Sequence, residues 1–480
     1  MDKAAFEHHL TSPAGRGHDP PGGYSGVAGG AACGDLVRIH LSVQGDRVAD
    51  VGFHASGCGA MLAAGSATVA LTRGAPLLRA ARVGTAEVAT ELGGLSPGKL
   101  HAAELAADAL HRALGAAARA AAVLPERSDR VLVAMSGGVD SAVAGLLAAR
   151  SGHEVVAVTL ELWADPENDG ERSCCSADAV RGARALAHSL DLPHVTLDLR
   201  EEFRAGVVRP YLGGHAAGET PNPCVRCNGH VRLDEMLALA GRLGAPRLAT
   251  GHYARVVDDG EGPLLRAGAD PAKDQAYMLS ALAPRSVGRM MFPLGELTKV
   301  EVRALACDAD LAVAHRAESQ DLCFLAGTGR DAFLARHGRL RARAGEIVDR
   351  AGRVLGRHRG HHAYTVGQRR GLGVAASEPL YVLATDARAN RVVVGRREEL
   401  RGSQVTVRGA TLHRDGTRVD RVKLRYRSQP LPARLRGTPG AGRHARLEVE
   451  LSDPAEGAAP GQTACLLHGD TVVGWGTVAC

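Results

Sequence analysis

A chain of 480 residues has room for about three or four domains, and its 45% hydrophobic content lets each of them bury a core. Only 3% of the residues are aromatic, so those cores rest on Ala, Val and Leu, and broad base-stacking surfaces are disfavoured. The net charge of +6 suits a polyanionic partner but decides little alone. No apolar run reaches the ~18 residues of a membrane span, and the start Met1–Glu7 lacks a signal-peptide apolar region. The expectation is therefore a cytoplasmic protein with no membrane partner, whose ten cysteines serve catalysis, metals or cores rather than disulfides.

Residues 1–115 read as a first unit. Its leader, Gly15 to Gly30, is rich in Gly and Pro and reads as irregular. Leu36–Val43 and Val48–Phe53 alternate at period two around Gln44-Gly45-Asp46, which predicts a hairpin. Helical patterns follow at Met61–Leu71 and Leu100–Leu114. Cys33-Gly34-Asp35, Gly57-Cys58-Gly59 and His101 bracket these elements. Cysteines in glycine turns, with an Asp two residues on, make good exposed metal ligands. Ala32–Asp35, Phe53–Gly59 and Lys99–Ala109 resemble the NifU-like iron–sulfur scaffold domains. In that family a third cysteine would follow His101, where this chain has Ala102. The remaining set, Cys33, Asp35, Cys58 and His101, suits zinc or a labile cluster. The alternative is a domain kept for packing or docking.

Residues 116–129, Ala-rich and interrupted by Pro125, read as helix tail and linker. From 130 to 335 strands and helices alternate. Val131–Ala134 is a short buried strand, Ser136-Gly137-Gly138 a tight turn, and Ser141–Arg150 a helix. A strand that ends in a glycine turn opening a helix is a phosphate site by construction: backbone N–H groups point inward and the helix start favours negative charge. No Lys follows the glycines, so this is not the loop that grips β- and γ-phosphates. Val155–Leu160, His194–Asp198 and Arg247–Thr250 are further strands and Asp178–Leu190 a helix. This alternation predicts an α/β fold with a doubly wound parallel sheet and ligands at the strands' carboxyl ends, where Thr250–Tyr253 lies.

Thr220–Asn228, with two prolines and two asparagines, reads as a rigid loop presenting Cys224 and Cys227. A lone C-x-x-C is a zinc half-site, a redox pair or chance, and the adjacent Cys174-Cys175 is not spaced to complete a zinc site. Cys323, in Glu318–Phe324, is the favoured third partner. Cys307 lies in a helical apolar pattern and reads as core, Cys465 and Cys480 as packing or exposed, and His361-His362 as a surface pair. Short strands at Tyr381–Leu383, Arg391–Val394, Gln404–Val407 and Arg446–Leu451 predict a small all-β region. Arg421–Arg427 places cations at alternate positions of one strand face, which is either a phosphate-binding face or a solvated edge guarded by charge.

Ser136–Ser141 resembles the pyrophosphate loop of the ATP pyrophosphatases, which split ATP between the α- and β-phosphates. Together with Thr220–Asn228, Ala249–Tyr253, Lys273–Tyr277, Phe292–Gly295, Ser319–Phe324, Tyr364–Gly373, Arg425–Arg427 and Pro460–Gln462, it falls in the order seen in the tRNA-specific 2-thiouridylases. The resemblance covers residues 130–480. It implies an ATP-pyrophosphatase domain at 130–335, a small central domain at 336–395 and a C-terminal β-barrel at 396–480, behind the small α+β NifU-like domain. It further implies ATP and Mg2+ as cofactors, tRNA as substrate, and a cysteine desulfurase or relay protein as sulfur donor.

By the same resemblance, Ala134, Met135, Ser136, Gly137, Gly138, Val139, Asp140, Ser141, Leu160 and Gly251 bind ATP, with Asp140 on magnesium and Leu160 near the adenine. Asn222, Pro223, Cys224, His252, Lys273, Asp274, Gln275, Arg425, Tyr426 and Gln462 contact tRNA. Cys224, Cys227 and Cys323 are the catalytic trio. They pass sulfur as a persulfide on Cys323 attacked by Cys227, or they hold three irons of a 4Fe–4S cluster whose fourth iron binds hydrosulfide. An all-cysteine trio favours the cluster. Two alternatives stand beside sulfur transfer. One is an amide-forming enzyme, which would leave the cysteines idle. The other is an iron–sulfur or sulfur-carrier scaffold with a degenerate ATP domain, against which the intact glycine loop speaks.

Overall fold

The computed structural model describes residues 2–29, 34–165, 176–317, 322–325 and 327–479. The chain divides into two compact units, one of residues 1–200, 235–252 and 289–323, the other of 201–234, 253–288 and 324–480.

The first unit opens with an α+β layer. Three antiparallel strands, Tyr24–Gly29, Leu36–Gln44 and Arg47–Ser56, lie side by side in chain order. Val37, Ile39, Leu41, Val51 and Phe53 alternate onto the buried face, as the period-two pattern requires. Helices Gly59–Thr72 and Leu100–Ala120 supply the opposing apolar layer. The first strand corrects the irregular leader expected there. Its glycines hid it: a Cβ on Gly26 would lie 2.0 Å from the Ala109 carbonyl oxygen, so this strand touches the long helix backbone to backbone.

The same helix packs its other side on the second sheet. A Cβ on Gly115 would lie 1.8 Å from the Thr196 carbonyl oxygen. His111, fully buried, faces the His194 carbonyl oxygen through Nδ1 at 2.7 Å and the Val83 carbonyl oxygen through Nε2 at 2.9 Å. Arg112 donates to Glu161 at 2.6 Å. Small residues along Leu100–Ala120 make these approaches possible, which is how a core poor in aromatics reaches close packing.

That second sheet has five parallel strands in the order Met290–Met291, Arg247–Ala249, Arg130–Ala134, Glu154–Glu161, His194–Asp198. From Arg130–Ala134 the chain winds outward to one side and returns on the other, so the order reverses beside that strand. The reversal opens a crevice at the strands' carboxyl ends, the usual ligand position in such sheets. Cys307 corrects another expectation: helix Lys299–Asp308 buries Val302 and Ala306, and Cys307, one position round the helix, is exposed.

The second unit holds two β structures. Val354–His358, Gly345–Val348, Arg391–Gly395 and Tyr381–Asp386 form a four-stranded mixed sheet, with its middle pair parallel. Arg401–Leu412, Gly442–Glu456, Leu431–Leu435, Arg421–Lys423, Thr463–His468 and Thr471–Val478 close into a six-stranded barrel through pairing of its first and last strands. Val407, Val422, Val449, Leu466 and Val473 fill its core. The hairpin Ala254–Asp258 and Pro263–Ala267 extends the barrel sheet past Thr471–Val478, although it lies far upstream in sequence. The cationic run is corrected here. The strand ends at Lys423, and Arg425–Ser428 is a turn closed by a bond from Ser428 N–H to the Arg425 carbonyl, so Arg421 and Lys423 share a strand face but Arg425 and Arg427 do not continue it.

Candidate functional site

The glycine loop sits at the crevice. Met135 prolongs the central strand by one residue: its N–H donates to the Val158 carbonyl at 2.8 Å, and its own carbonyl accepts from the Thr159 hydroxyl at 2.9 Å. Gly137 then takes φ +72°, a conformation open to glycine. Gly138 caps helix Val139–Arg150. The Ser141 hydroxyl closes the loop from inside, accepting from Ser136 N–H at 3.1 Å and donating to the Gly138 carbonyl at 3.0 Å. The first-turn N–H groups of a helix have no intrahelical partner, so the loop presents donors to an anion. Ala134 and Leu160 lie toward the carboxyl ends of adjacent strands, both partly exposed.

Gly251 backs this loop. A Cβ there would stand 2.7 Å from both the Asp140 carbonyl carbon and the Ser141 nitrogen. The neighbouring His252 is buried, its Nδ1 2.8 Å from the Thr250 hydroxyl and its ring edge-on to Phe292.

Two cations at the loop escaped the sequence reading. Lys299 Nζ lies 2.6 Å from Asp140 Oδ1, and an Arg316 guanidinium nitrogen donates to the Gly137 carbonyl at 2.9 Å. A signal for Lys299 was present. Thr298 and Glu301 form a capping box, which fixes Lys299 as the first helical residue. A cation at a helix start opposes the helix dipole, so a buried Lys there needs an anionic partner, which Asp140 supplies.

In the second unit, Thr220–Asn228 is not wholly the loop expected. Asn222 accepts at Oδ1 from Cys224 N–H at 3.1 Å and Val225 N–H at 3.4 Å, capping the short helix Pro223–Cys227. Proline at the first helical position suits this start. Cys224 and Cys227 are therefore one turn apart on one helical side, Cys224 half-buried and Cys227 buried. Asn228 donates to the Met278 carbonyl at 3.1 Å and ties this helix to Ala276–Leu279.

Several residues assigned to tRNA hold this neighbourhood together. Gln462 donates to the Thr220 carbonyl at 2.6 Å, and Gln275 accepts from Tyr253 N–H at 3.1 Å. Asp274 accepts from Ala276 N–H at 3.0 Å and pairs with Lys423 at 3.4 Å. Arg425 donates to the Val366 and Gly457 carbonyls, Tyr426 faces Tyr277 at 6.3 Å between rings, and Lys273 is half-exposed. Cys323, half-buried, belongs to the first unit, whereas Cys224 and Cys227 belong to the second.

In the first domain, three of the four predicted ligands, Asp35, Cys58 and His101, come together. Asp35 accepts from Cys58 N–H at 2.8 Å and from the Cys58 thiol at 3.2 Å, and its Oδ2 lies 2.9 Å from His101 Nε2. Burial pushes the Asp35 carboxyl up, but these hydrogen bonds outweigh it and leave it below the usual range. His101 Nδ1 lies 3.0 Å from the Gly98 carbonyl, which orients the ring as an outer partner does in metal sites. Gly57 is obligatory, at φ +130° with a hypothetical Cβ 1.9 Å from Asp35 Oδ1. Ala102 is buried, so the position where the family has cysteine offers no donor. Cys33, Cys174, Cys175, Cys480 and the stretch 318–321 lie outside the described residues.

Comparison with known proteins covers nearly the whole chain. Residues 3–121 match the NifU-like N-terminal domain family, and 129–327 the tRNA methyl transferase HUP domain. Residues 331–396 match the tRNA methyl transferase PRC-barrel domain, and 399–478 the aminomethyltransferase β-barrel domain. A bifunctional protein NifU/MnmA of Rubrobacter xylanophilus is 48% identical over 98% of this chain and 97% of its own length. The tRNA-specific 2-thiouridylases MnmA of Geobacter metallireducens and Sorangium cellulosum are 42% and 41% identical, over 73% and 74% of this chain and 96% and 93% of their own lengths.

Proposed function

Because the chain belongs to the tRNA-specific 2-thiouridylase family, in the bifunctional form that carries a NifU-like domain in front, we propose that it is a tRNA-uridine 2-sulfurtransferase that uses ATP to thiolate C2 of the wobble uridine. The observation that supports the ATP half is the glycine loop Ser136–Ser141, placed at the sheet's crevice and backed by Gly251. The C2 carbonyl is a poor electrophile. Its oxygen attacks the α-phosphorus of ATP and pyrophosphate leaves. Sulfur then attacks C2 and AMP departs.

In this reading the N–H groups of the loop receive the pyrophosphate. Asp140 is the carboxylate that would hold magnesium, which screens the phosphate charge. Lys299 and Arg316 face developing charge on the phosphates. Lys299→Ala is expected to raise the KM for ATP about tenfold to hundredfold, the loss of one charged hydrogen bond. Steady-state pyrophosphate release against ATP concentration measures it, and an unchanged KM removes Lys299 from the site.

Cys224, Cys227 and Cys323 carry the sulfur half. Two thiols one helical turn apart on helix Pro223–Cys227 are two soft donors, and Cys323 would supply the third for three irons of a 4Fe–4S cluster. When bound, the cluster would supply hydrosulfide on its open iron. We favour it over a persulfide on Cys323 because Cys224 shares the helical side of Cys227, a position a two-cysteine relay does not need. A cysteine desulfurase or relay protein feeds either route. The Cys33, Asp35, Cys58 and His101 set would hold zinc or a labile cluster. Its attachment to the ATP domain through helix Leu100–Ala120 raises the effective concentration of whatever it delivers.

The test is nucleoside analysis of tRNA incubated with the protein, ATP and sulfide. Equal yields of 2-thiouridine and AMP are expected. Amidated nucleoside, or AMP formation without thiolation under anaerobic conditions, overturns the proposal.

A further inference from the structure

The first domain carries a second group of metal-ligating side chains on the sheet face opposite its core. His40 and His54 stand on neighbouring strands. His40 pairs with Gly52 in the register, and His54 is two residues along from Gly52, so both side chains leave the same, outer face. The leader crosses that face and brings Asp19 to them. Asp19 Oδ1 lies 2.9 Å from His54 Nε2 and 3.1 Å from His40 Nε2. The two imidazole nitrogens and the carboxylate oxygen all fall within 4.8 Å of one another.

Three features show that the arrangement is built in. The first is the leader's fixed path. Gly17 N–H donates to the Phe53 carbonyl and Phe53 N–H to the Gly15 carbonyl, both at 2.8 Å. Gly52 leaves room for this crossing, since a Cβ there would stand 2.0 Å from the His18 carbonyl oxygen. The second is an outer partner: the Ser25 hydroxyl, 2.8 Å from His40 Nδ1, turns Nε2 of that ring toward Asp19. The third is an unsatisfied atom. His40 Nε2 is buried and has no hydrogen-bond partner, because its approach to Asp19 lacks hydrogen-bond geometry. A buried ring nitrogen without a partner is costly unless something else occupies its lone pair.

We propose that Asp19, His40 and His54 form a divalent transition-metal site of the zinc or iron(II) class, separate from the Asp35, Cys58 and His101 set. Two imidazoles and one carboxylate are borderline donors that suit such ions, and three protein ligands leave positions open to water. With no thiolate among its ligands, the site binds more weakly and exchanges more readily than a cysteine site.

Cobalt(II) tests this, because it reports its ligands. Full-length protein stripped with chelator is titrated with Co2+ in a background of Cys33→Ala, Cys58→Ala, His101→Ala, Cys224→Ser, Cys227→Ser and Cys323→Ser, which removes the thiols proposed to bind metal elsewhere. One equivalent with ligand-field bands and no sulfur-to-cobalt charge-transfer band is expected. His54→Ala and the near-isosteric His40→Gln should each weaken that equivalent by tenfold or more, while near-ultraviolet circular dichroism stays unchanged. Binding that is unaltered in both variants, or cobalt signals that all carry sulfur charge transfer, overturns the proposal and leaves the three residues as a clasp holding the leader.

Discussion

Cys227→Ser is expected to abolish thiolation while tRNA-dependent release of pyrophosphate continues. The two halves of the proposed reaction use different parts of the chain. Adenylation draws on the glycine loop and its cations in the first unit, and Cys227 lies in the second. Replacing sulfur by oxygen keeps the side chain's size but removes the thiolate, which is the soft ligand in the cluster route and the nucleophile in the persulfide route. The loss should be on the order of 10^3-fold or more in 2-thiouridine formed per minute, as for removal of other nucleophiles. A hydroxyl at this buried position costs about 1–3 kcal/mol at most, too little to unfold the domain. Cys224→Ser separates the two sulfur routes. A cluster needs that ligand and falls with it, whereas a persulfide relay between Cys323 and Cys227 keeps most of its rate. Normal 2-thiouridine production by Cys227→Ser would end the sulfur-transfer assignment for this helix and return the amide-forming alternative.

The parts legible in the sequence are those where local pattern and tertiary role coincide. Val131–Ala134, the glycine turn and the following helix were readable because strand, φ-positive glycine and helix start are all local signals. The hairpin of the first domain was readable from period-two alternation around a turn. What escaped depends on contacts far apart in the chain. Tyr24–Gly29 looks like an irregular leader because its glycines answer a helix some 80 residues downstream in sequence, a distance no window reading spans. Met290–Met291 is too short to show a period, and the hairpin Ala254–Ala267 joins a barrel whose other strands lie beyond residue 400. The lone cysteine pair read as a loop because Pro and Asn are turn residues. Asn222 and Pro223 are equally the cap and first residue of a helix, and that reading puts both thiols on one side. The residues expected at tRNA come from motifs alone, which carry no sign of the contacts they make within the chain. Gln462, Gln275 and Asp274 are polar residues in motifs, and each hydrogen-bonds the protein's own backbone.

Gly251→Ala is expected to cut ATP turnover at least about 100-fold without unfolding the chain. The added methyl would stand 2.7 Å from two backbone atoms of the first turn of helix Val139–Arg150, the Asp140 carbonyl carbon and the Ser141 nitrogen. Backbone in a hydrogen-bonded helix start cannot swing aside as a side chain can. Ordinary carbon contacts need about 3.5 Å, so either the loop or the segment carrying Gly251 must move by roughly 1 Å. Displacements of that size at a reacting centre cost about 100-fold in rate. The displacement falls on the turn that holds Asp140 and the Ser141 hydroxyl, and therefore on the N–H groups set to receive pyrophosphate. Stability should suffer less, by about 1–3 kcal/mol, since overpacking at one point is relieved by a local shift. The decisive pair of measurements is pyrophosphate release and the thermal midpoint on the same preparation. Lost turnover with a folded protein is the expected result. Full turnover would show that the loop has slack at Gly251 and that backbone crowding there does not position the phosphate donors.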